Sequence, residues 1–217
     1  MVLVWLLYDG NWIASGGFLV EEDIVLTAAH VQESPRYVIL GAHDIDRQEK
    51  TWQIIPVKKV IMHPKFSNAT GRNDITILQL KKKAQLTPAV GLLPLPGESD
   101  QVRPGQICSV AGWGRININD TTNKLHEVDL IIQEHYQCGR LYPNYDRITQ
   151  LCVGDPQKQM CSFKGDSGGP LVCRNVAQGI VSYGSEKGTP PRVFTKISSF
   201  LPWIKKTIKG LHLEESH

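Results

Sequence analysis

The sequence predicts an all-β protein built as two halves of similar size and closed by one helix at its end. Three observations lead there. Short β-branched or aromatic runs recur along the chain, each bounded by turn residues. A Pro- and Gly-rich stretch from Leu92 to Gly105 falls near the middle of the 217 residues and is the natural crossover between the halves. Only the tail departs from the strand cadence, with apolar residues at helical spacing.

In chain order, Val2 to Leu7 is an apolar run far short of the ~20 residues a membrane span needs, and Asp9-Gly10-Asn11 supplies the turn after it. Strand-like runs follow at Ile24 to Leu26, Tyr37 to Leu40, Trp52 to Val60 and Ile75 to Leu80. Beyond the crossover and its turn at Pro96-Gly97-Glu98-Ser99, the run Ile180 to Tyr183 continues the pattern. Turn chemistry recurs at Pro143-Asn144 and at Gly188-Thr189-Pro190-Pro191. In the tail, Phe200, Trp203, Ile204, Ile208 and Leu211 share one helical face after a Ser199 cap, with Pro202 tolerated in the first turn.

With 41% hydrophobic and 21% charged residues, the chain has enough apolar mass for a full core and lacks the composition of a disordered protein. The net charge of +3 is mild, because Lys81-Lys82-Lys83 and Lys205-Lys206 are offset by stretches such as Glu21-Glu22-Asp23. No nucleic-acid partner is expected from this balance; the lysines read as solvated surface, with a proteoglycan as the alternative partner. The start lacks the basic region and small-residue cleavage site of a secretory signal. Five cysteines, Cys108, Cys138, Cys152, Cys161 and Cys173, are too widely spaced for a zinc knuckle, so disulfides are expected and no metal, with one cysteine left over. The sequons at Asn68 and Asn119 are candidate glycosylation sites and fit the secretory pathway.

The sharpest chemical signal is Gly165-Asp166-Ser167-Gly168-Gly169-Pro170, a serine in a glycine-rich turn. The bare Gly-x-Ser-x-Gly pattern also matches the α/β-hydrolase elbow, whose acid and histidine follow the serine. No aspartate follows Ser167, and only His212 and His217 lie beyond it, so that reading fails on order. The acid and base must lie upstream. Thr27-Ala28-Ala29-His30 ends one strand-like run and Asn73-Asp74-Ile75 opens another, giving the order histidine, aspartate, serine.

These three segments, with Ala111-Gly112-Trp113-Gly114 and Ser182-Tyr183-Gly184, resemble the trypsin-like (chymotrypsin-fold) serine proteases over nearly the whole chain. Val176-Ala177-Gln178-Gly179-Ile180-Val181 points to the granzyme and mast-cell protease branch. The resemblance implies two packed six-stranded antiparallel β-barrels with the site between them. It implies a peptidase domain over 1–210, with barrels at about 1–95 and 105–197, a helix at 199–210 and a tail at 211–217. It also implies a secreted or cytolytic-granule serine endopeptidase acting on proteins or peptides, subject to protein inhibitors and needing no cofactor.

By the same resemblance His30, Asp74 and Ser167 are catalytic, and the backbone N–H groups of Gly165 and Ser167 form the oxyanion hole. The substrate pocket involves Cys161, Ser182, Tyr183, Gly184 and Arg192. Cys161 stands where trypsin-like members carry an acid, which argues against cleavage after Lys or Arg. Arg192 matches an arginine of the granzyme branch that pairs with an acidic substrate side chain, favouring cleavage after Asp or Glu. Were Arg192 turned to solvent, an apolar chymase-like pocket for Phe, Leu or Met would remain. The implied disulfides are Cys108 with Cys173 and Cys138 with Cys152, and the bridge usual beside the catalytic histidine is replaced by Ser15 and Val31. No motif involves His43, His63, His126 or His135, for which surface or structural roles are expected.

The first barrel lacks the family's usual mature amino-terminal segment, whose amine would pair with Asp166. Met1 is expected on the first strand, far from Asp166, leaving a zymogen-like pocket. A start placed at an internal methionine accounts for both missing features. The competing reading is a poorly active or non-catalytic binding protein on a protease scaffold.

Overall fold

A computed structural model describes residues 1–30, 35–113, 123–158 and 167–217. Six antiparallel strands, β1 (Val2–Tyr8), β2 (Asn11–Glu21), β3 (Ile24–Thr27), β4 (Pro35–Leu40), β5 (Gln53–Met62) and β6 (Thr76–Leu80), close into a barrel in the order β1-β2-β3-β6-β5-β4. The turn read at Asp9-Gly10 is a two-residue hairpin loop: Tyr8 faces Asn11, and both turn residues have positive φ, 45° and 78°. That geometry matches the right-handed twist of the strands it joins. Side chains such as Val4, Leu19, Val25, Val38, Ile55 and Leu78 fill the barrel.

The second half forms a six-stranded sheet from β7 (Ile107–Gly112), β8 (His126–Ile131), β9 (Gln150–Val153), β10 (Pro170–Cys173), β11 (Val176–Tyr183) and β12 (Arg192–Lys196), in the order β8-β7-β10-β11-β12-β9. Its edges meet just past β8, where Gly154 N donates to Ile131 O and Gln133 N to Cys152 O, both at 2.8 Å. The sheet is therefore barrel-like. Between the halves, 81–106 carries no strand and straps both together: Leu93 N donates to Leu19 O, and Ala177 N to Pro94 O.

One core cluster joins the two halves. Phe18, Ile24, Leu26, Ile75 and Ile77 of the first barrel pack with Ala177 and Ile180 of the second and with Ile204, Ile208 and Leu211 of the terminal helix α2 (Leu201–Glu215). Burial of each large apolar side chain contributes roughly 1.5–3 kcal/mol, so this cluster fixes the relative placement of β3, β6 and β11.

Several expectations are corrected. The terminal helix does not run 199–210: it begins at Leu201 and reaches Glu215, so most of the expected tail is helical. Ser199 is not its cap; it sits in the 3₁₀ turn Ile197–Phe200, and its hydroxyl donates to Ile148 O at 2.6 Å. The helix runs on past Gly210 because Leu211, only 2% exposed, carries the apolar stripe onward. A second helix, α1 (His135–Leu141), was not expected; at seven residues it is too short for helical periodicity to show, and Cys138 pins it to β9. Strand β5 starts after Trp52, whose indole instead donates to Glu49 Oε1.

Candidate active site

The acid is the best-held member of the site. Asp74 lies two residues before the start of β6 and is 1% exposed. Its Oδ1 accepts the backbone N–H of Ala29 at 2.6 Å and of His30 at 2.7 Å. Its Oδ2 accepts the Ser182 hydroxyl at 2.6 Å and lies 2.7 Å from His30 Nδ1. A buried carboxylate is tolerated when its lone pairs are met in this way, and four donors do so here. The Asp74 carbonyl also accepts Thr195 Oγ1 at 2.9 Å, tying the acid to β12 of the second half.

His30 lies just beyond β3, pinned through its own backbone N–H and through Nδ1 to the same carboxylate. The contact at Nδ1 leaves Nε2 without a partner among the described residues, and the side chain keeps 30% exposure.

Ser167 is half-buried, and its carbonyl accepts Gly16 N at 2.8 Å, which binds the serine turn to β2. Gly168 follows at φ 85°, and its N–H donates to Val181 O at 3.0 Å. A Cβ on Gly168 would stand 2.3 Å from Thr27 Oγ1 and 2.4 Å from Gly16 O, so only glycine fits on both steric and backbone grounds. The serine turn is thereby seated on the end of β3, three residues from His30.

Arg192, at the start of β12, is 8% exposed. Its Nη1 donates to Ser185 O at 3.0 Å, and its Nε is buried without a partner among the described residues. The side chain lies across Gly184, where a Cβ would come within 2.7 Å of Arg192 Cγ and Cζ. Tyr183 packs edge-on against Tyr142, and burial raises its hydroxyl pKa, so it lines the site as a neutral phenol. Beside His30 a cavity of about 380 Å³ is lined by Asn68, Gly71, Tyr142, Ser182 and Tyr183. Asn68 of the first sequon is exposed on that rim.

The structure thus brings together His30, Asp74, Ser182 and Tyr183 around one cavity, with Gly184 and Arg192 beside them. Cys161, Gly165, Asp166, Asn119 and Val31 lie outside the described residues. Met1 directly precedes β1, as expected, and burial lowers the pKa of its amine. Sulfur bridges join Cys108 to Cys173 and Cys138 to Cys152. Sequence reasoning placed Ser182 in the pocket through its motif but missed its bond to Asp74, and it missed Thr195 altogether; no local signal marks either contact. His63 packs edge-on between Phe200 and Trp203, and His135 Nδ1 is 2.7 Å from the Tyr145 hydroxyl. Lys81, Lys82, Lys83, Lys205, Lys206 and Lys209 are all exposed. Among the described residues no helix is long and apolar enough to cross a membrane.

Comparison with known proteins agrees with this geometry. The family described as Trypsin matches residues 4–204. Granzyme H of Homo sapiens is 54% identical over 212 residues, covering 97% of this chain and 86% of its own length. Mast cell protease 3 of Ovis aries is 52% identical, covering 93% and 80%. Cathepsin G of Mus musculus is likewise 52% identical, covering 90% and 75%. A solved structure of GrC superimposes with a TM-score of 0.90 at 45% identity, covering 96% of this chain and 93% of that one.

Proposed function

Because this chain belongs to the trypsin family of serine proteases, we propose that it cuts peptide bonds through an acyl-enzyme on Ser167, on the carboxyl side of aspartate or glutamate. A serine hydroxyl is a weak nucleophile at neutral pH. His30 Nε2 takes its proton as Oγ attacks the scissile carbonyl carbon, and Asp74 stabilises the imidazolium that results. The same proton passes to the leaving amine as the carbon–nitrogen bond breaks. Water then attacks the ester, giving its proton to His30, which returns it to Ser167 as the acid product leaves. The N–H groups of Ser167 and Gly165 are assigned to the developing oxyanion, where one donor contributes about 3 kcal/mol. None of these steps calls on a cofactor.

The observation that carries the acidic preference is the placement of Arg192. Among the described residues no carboxylate pairs with this guanidinium, which is 8% exposed and keeps a buried, unpartnered Nε. Burying one charge is costly until an opposite charge joins it, and a guanidinium suits a carboxylate in geometry. The apolar alternative needs Arg192 turned to solvent, which its burial against Gly184 opposes. A charge-assisted pair contributes about 1.5–3 kcal/mol, or roughly 10- to 150-fold in kcat/KM.

The test is a panel of peptides differing only in the residue before the cut bond. The Asp peptide should exceed its Phe counterpart by at least tenfold in kcat/KM, and Arg192→Gly should remove that margin. A Phe peptide cleaved best, or an unchanged ranking in the variant, would overturn the reading.

A further inference from the structure

Away from the catalytic cleft, the β2–β3 turn meets the terminal helix α2 at Glu21, Asp23 and His212. Their ligand atoms all lie within 4.8 Å of one another. Glu21 Oε2 is 3.0 Å from His212 Nε2. Asp23 is only 8% exposed, its main-chain carbonyl is used by Leu80 N, and its carboxylate has no hydrogen-bond or ion-pair partner among the described residues. Three lysines of this region pair with other carboxylates: Lys83 with Glu22, Lys58 with Glu215 and Lys59 with Glu214. The Asp23 side chain is thus enclosed beside the Glu21–His212 pair with no donor of its own, an arrangement a cation would complete.

We propose that Glu21, Asp23 and His212 bind a divalent transition-metal ion, zinc being the one this donor set suits. One imidazole nitrogen and two carboxylate oxygens are ligands zinc takes at about 2.0–2.2 Å, with water completing a tetrahedron. Calcium and magnesium favour all-oxygen sets, which the histidine at this place argues against. The two carboxylates sit on a tight turn of the first barrel, whereas His212 comes from α2, whose Ile204, Ile208 and Leu211 pack into the core shared by both halves. Zinc here ties the end of the helix to the barrel. The site is independent of the proteolytic reading, since none of its residues lies in the catalytic cleft.

Isothermal titration of the full chain with zinc chloride should show one site per molecule at micromolar affinity or tighter. Zinc a hundredfold above Kd should raise the Tm by about 5–10 °C. Asp23→Asn and His212→Gln should each weaken binding at least tenfold while keeping the metal-free Tm within a few degrees of the parent. Cobalt(II) in place of zinc should give the visible absorption of a tetrahedral site in the parent and lose it in His212→Gln. Absence of zinc binding would overturn the proposal. So would affinity unchanged in both variants, since that would assign the ion to other histidines.

Discussion

Replacing Asp74 with Asn tests the hydrogen-bond logic of the site at one atom. The Asn carbonyl can still accept the two N–H groups of Ala29 and His30, now at 2.6 and 2.7 Å from Oδ1, so the backbone stays in place. The amide NH₂ then replaces Oδ2, which lies 2.7 Å from His30 Nδ1. An amide donor facing Nδ1 favours the tautomer with its proton on Nε2, and that nitrogen can no longer accept from Ser167. Restoring the productive tautomer sets two donors against each other, at about 1–2 kcal/mol. Loss of a full charge about 4 Å from the imidazolium removes about 4 kcal/mol at an effective dielectric of 20. The sum, about 5–6 kcal/mol, corresponds to a roughly 10⁴-fold fall in kcat, similar to the fall known for this exchange in a chymotrypsin-type triad. Steady-state hydrolysis of a fluorogenic peptide reads kcat, and thermal unfolding reads the fold. A loss smaller than tenfold with the Tm preserved would refute the assignment of Asp74 as the residue that sets the His30 tautomer.

Three further outcomes follow from the same contacts. Gly168→Ala should lower stability by more than about 2 kcal/mol and abolish turnover, because its φ of 85° and the 2.3 Å approach to Thr27 Oγ1 leave no room for a methyl group; a Tm within 2 °C of the parent would contradict this. Converting Cys138 and Cys152 to serine removes a bridge across 14 residues and should cost about 3 kcal/mol in denaturant unfolding, whereas an unchanged midpoint would deny the bridge its role. Burial between Phe200 and Trp203 lowers the His63 pKa, and Lys65 N donates to its Nδ1, so the folded state prefers the neutral ring. The unfolded chain then binds more protons, and stability present above pH ~6.5 is lost as pH falls through the folded pKa. His63→Phe should flatten the decline of Tm between pH 7 and 5, and an identical decline would count against that reading.

How much was legible depended on how local each signal was. His30, Asp74 and Ser167 sit in short motifs at strand edges, and those edges are where the fold holds them. The hairpin at Asp9-Gly10 was readable because only certain residues take positive φ there. The bond from Ser182 to Asp74 spans 108 positions and arises only when β11 packs beside β6, so no window of sequence contains it. Thr195 reaches the Asp74 carbonyl across 121 positions for the same reason. Helix α1 was hidden by its length, and the end of α2 by reading a boundary at Gly210, where a Cβ would meet open space. Arg192 came from resemblance alone; its burial across Gly184 is a property of the packed pair. Likewise Glu21, Asp23 and His212 are joined only by folding, since nearly the whole chain separates the turn from the helix.

The central claim is that Ser167 is an activated nucleophile. It is tested most directly by incubating the protein with a fluorophosphonate and measuring intact mass beside a Ser167→Ala control. A single adduct on the parent, with fluoride displaced by Oγ, and none on the variant is the predicted result. An unmodified parent, or an adduct of equal yield on both proteins, would contradict it.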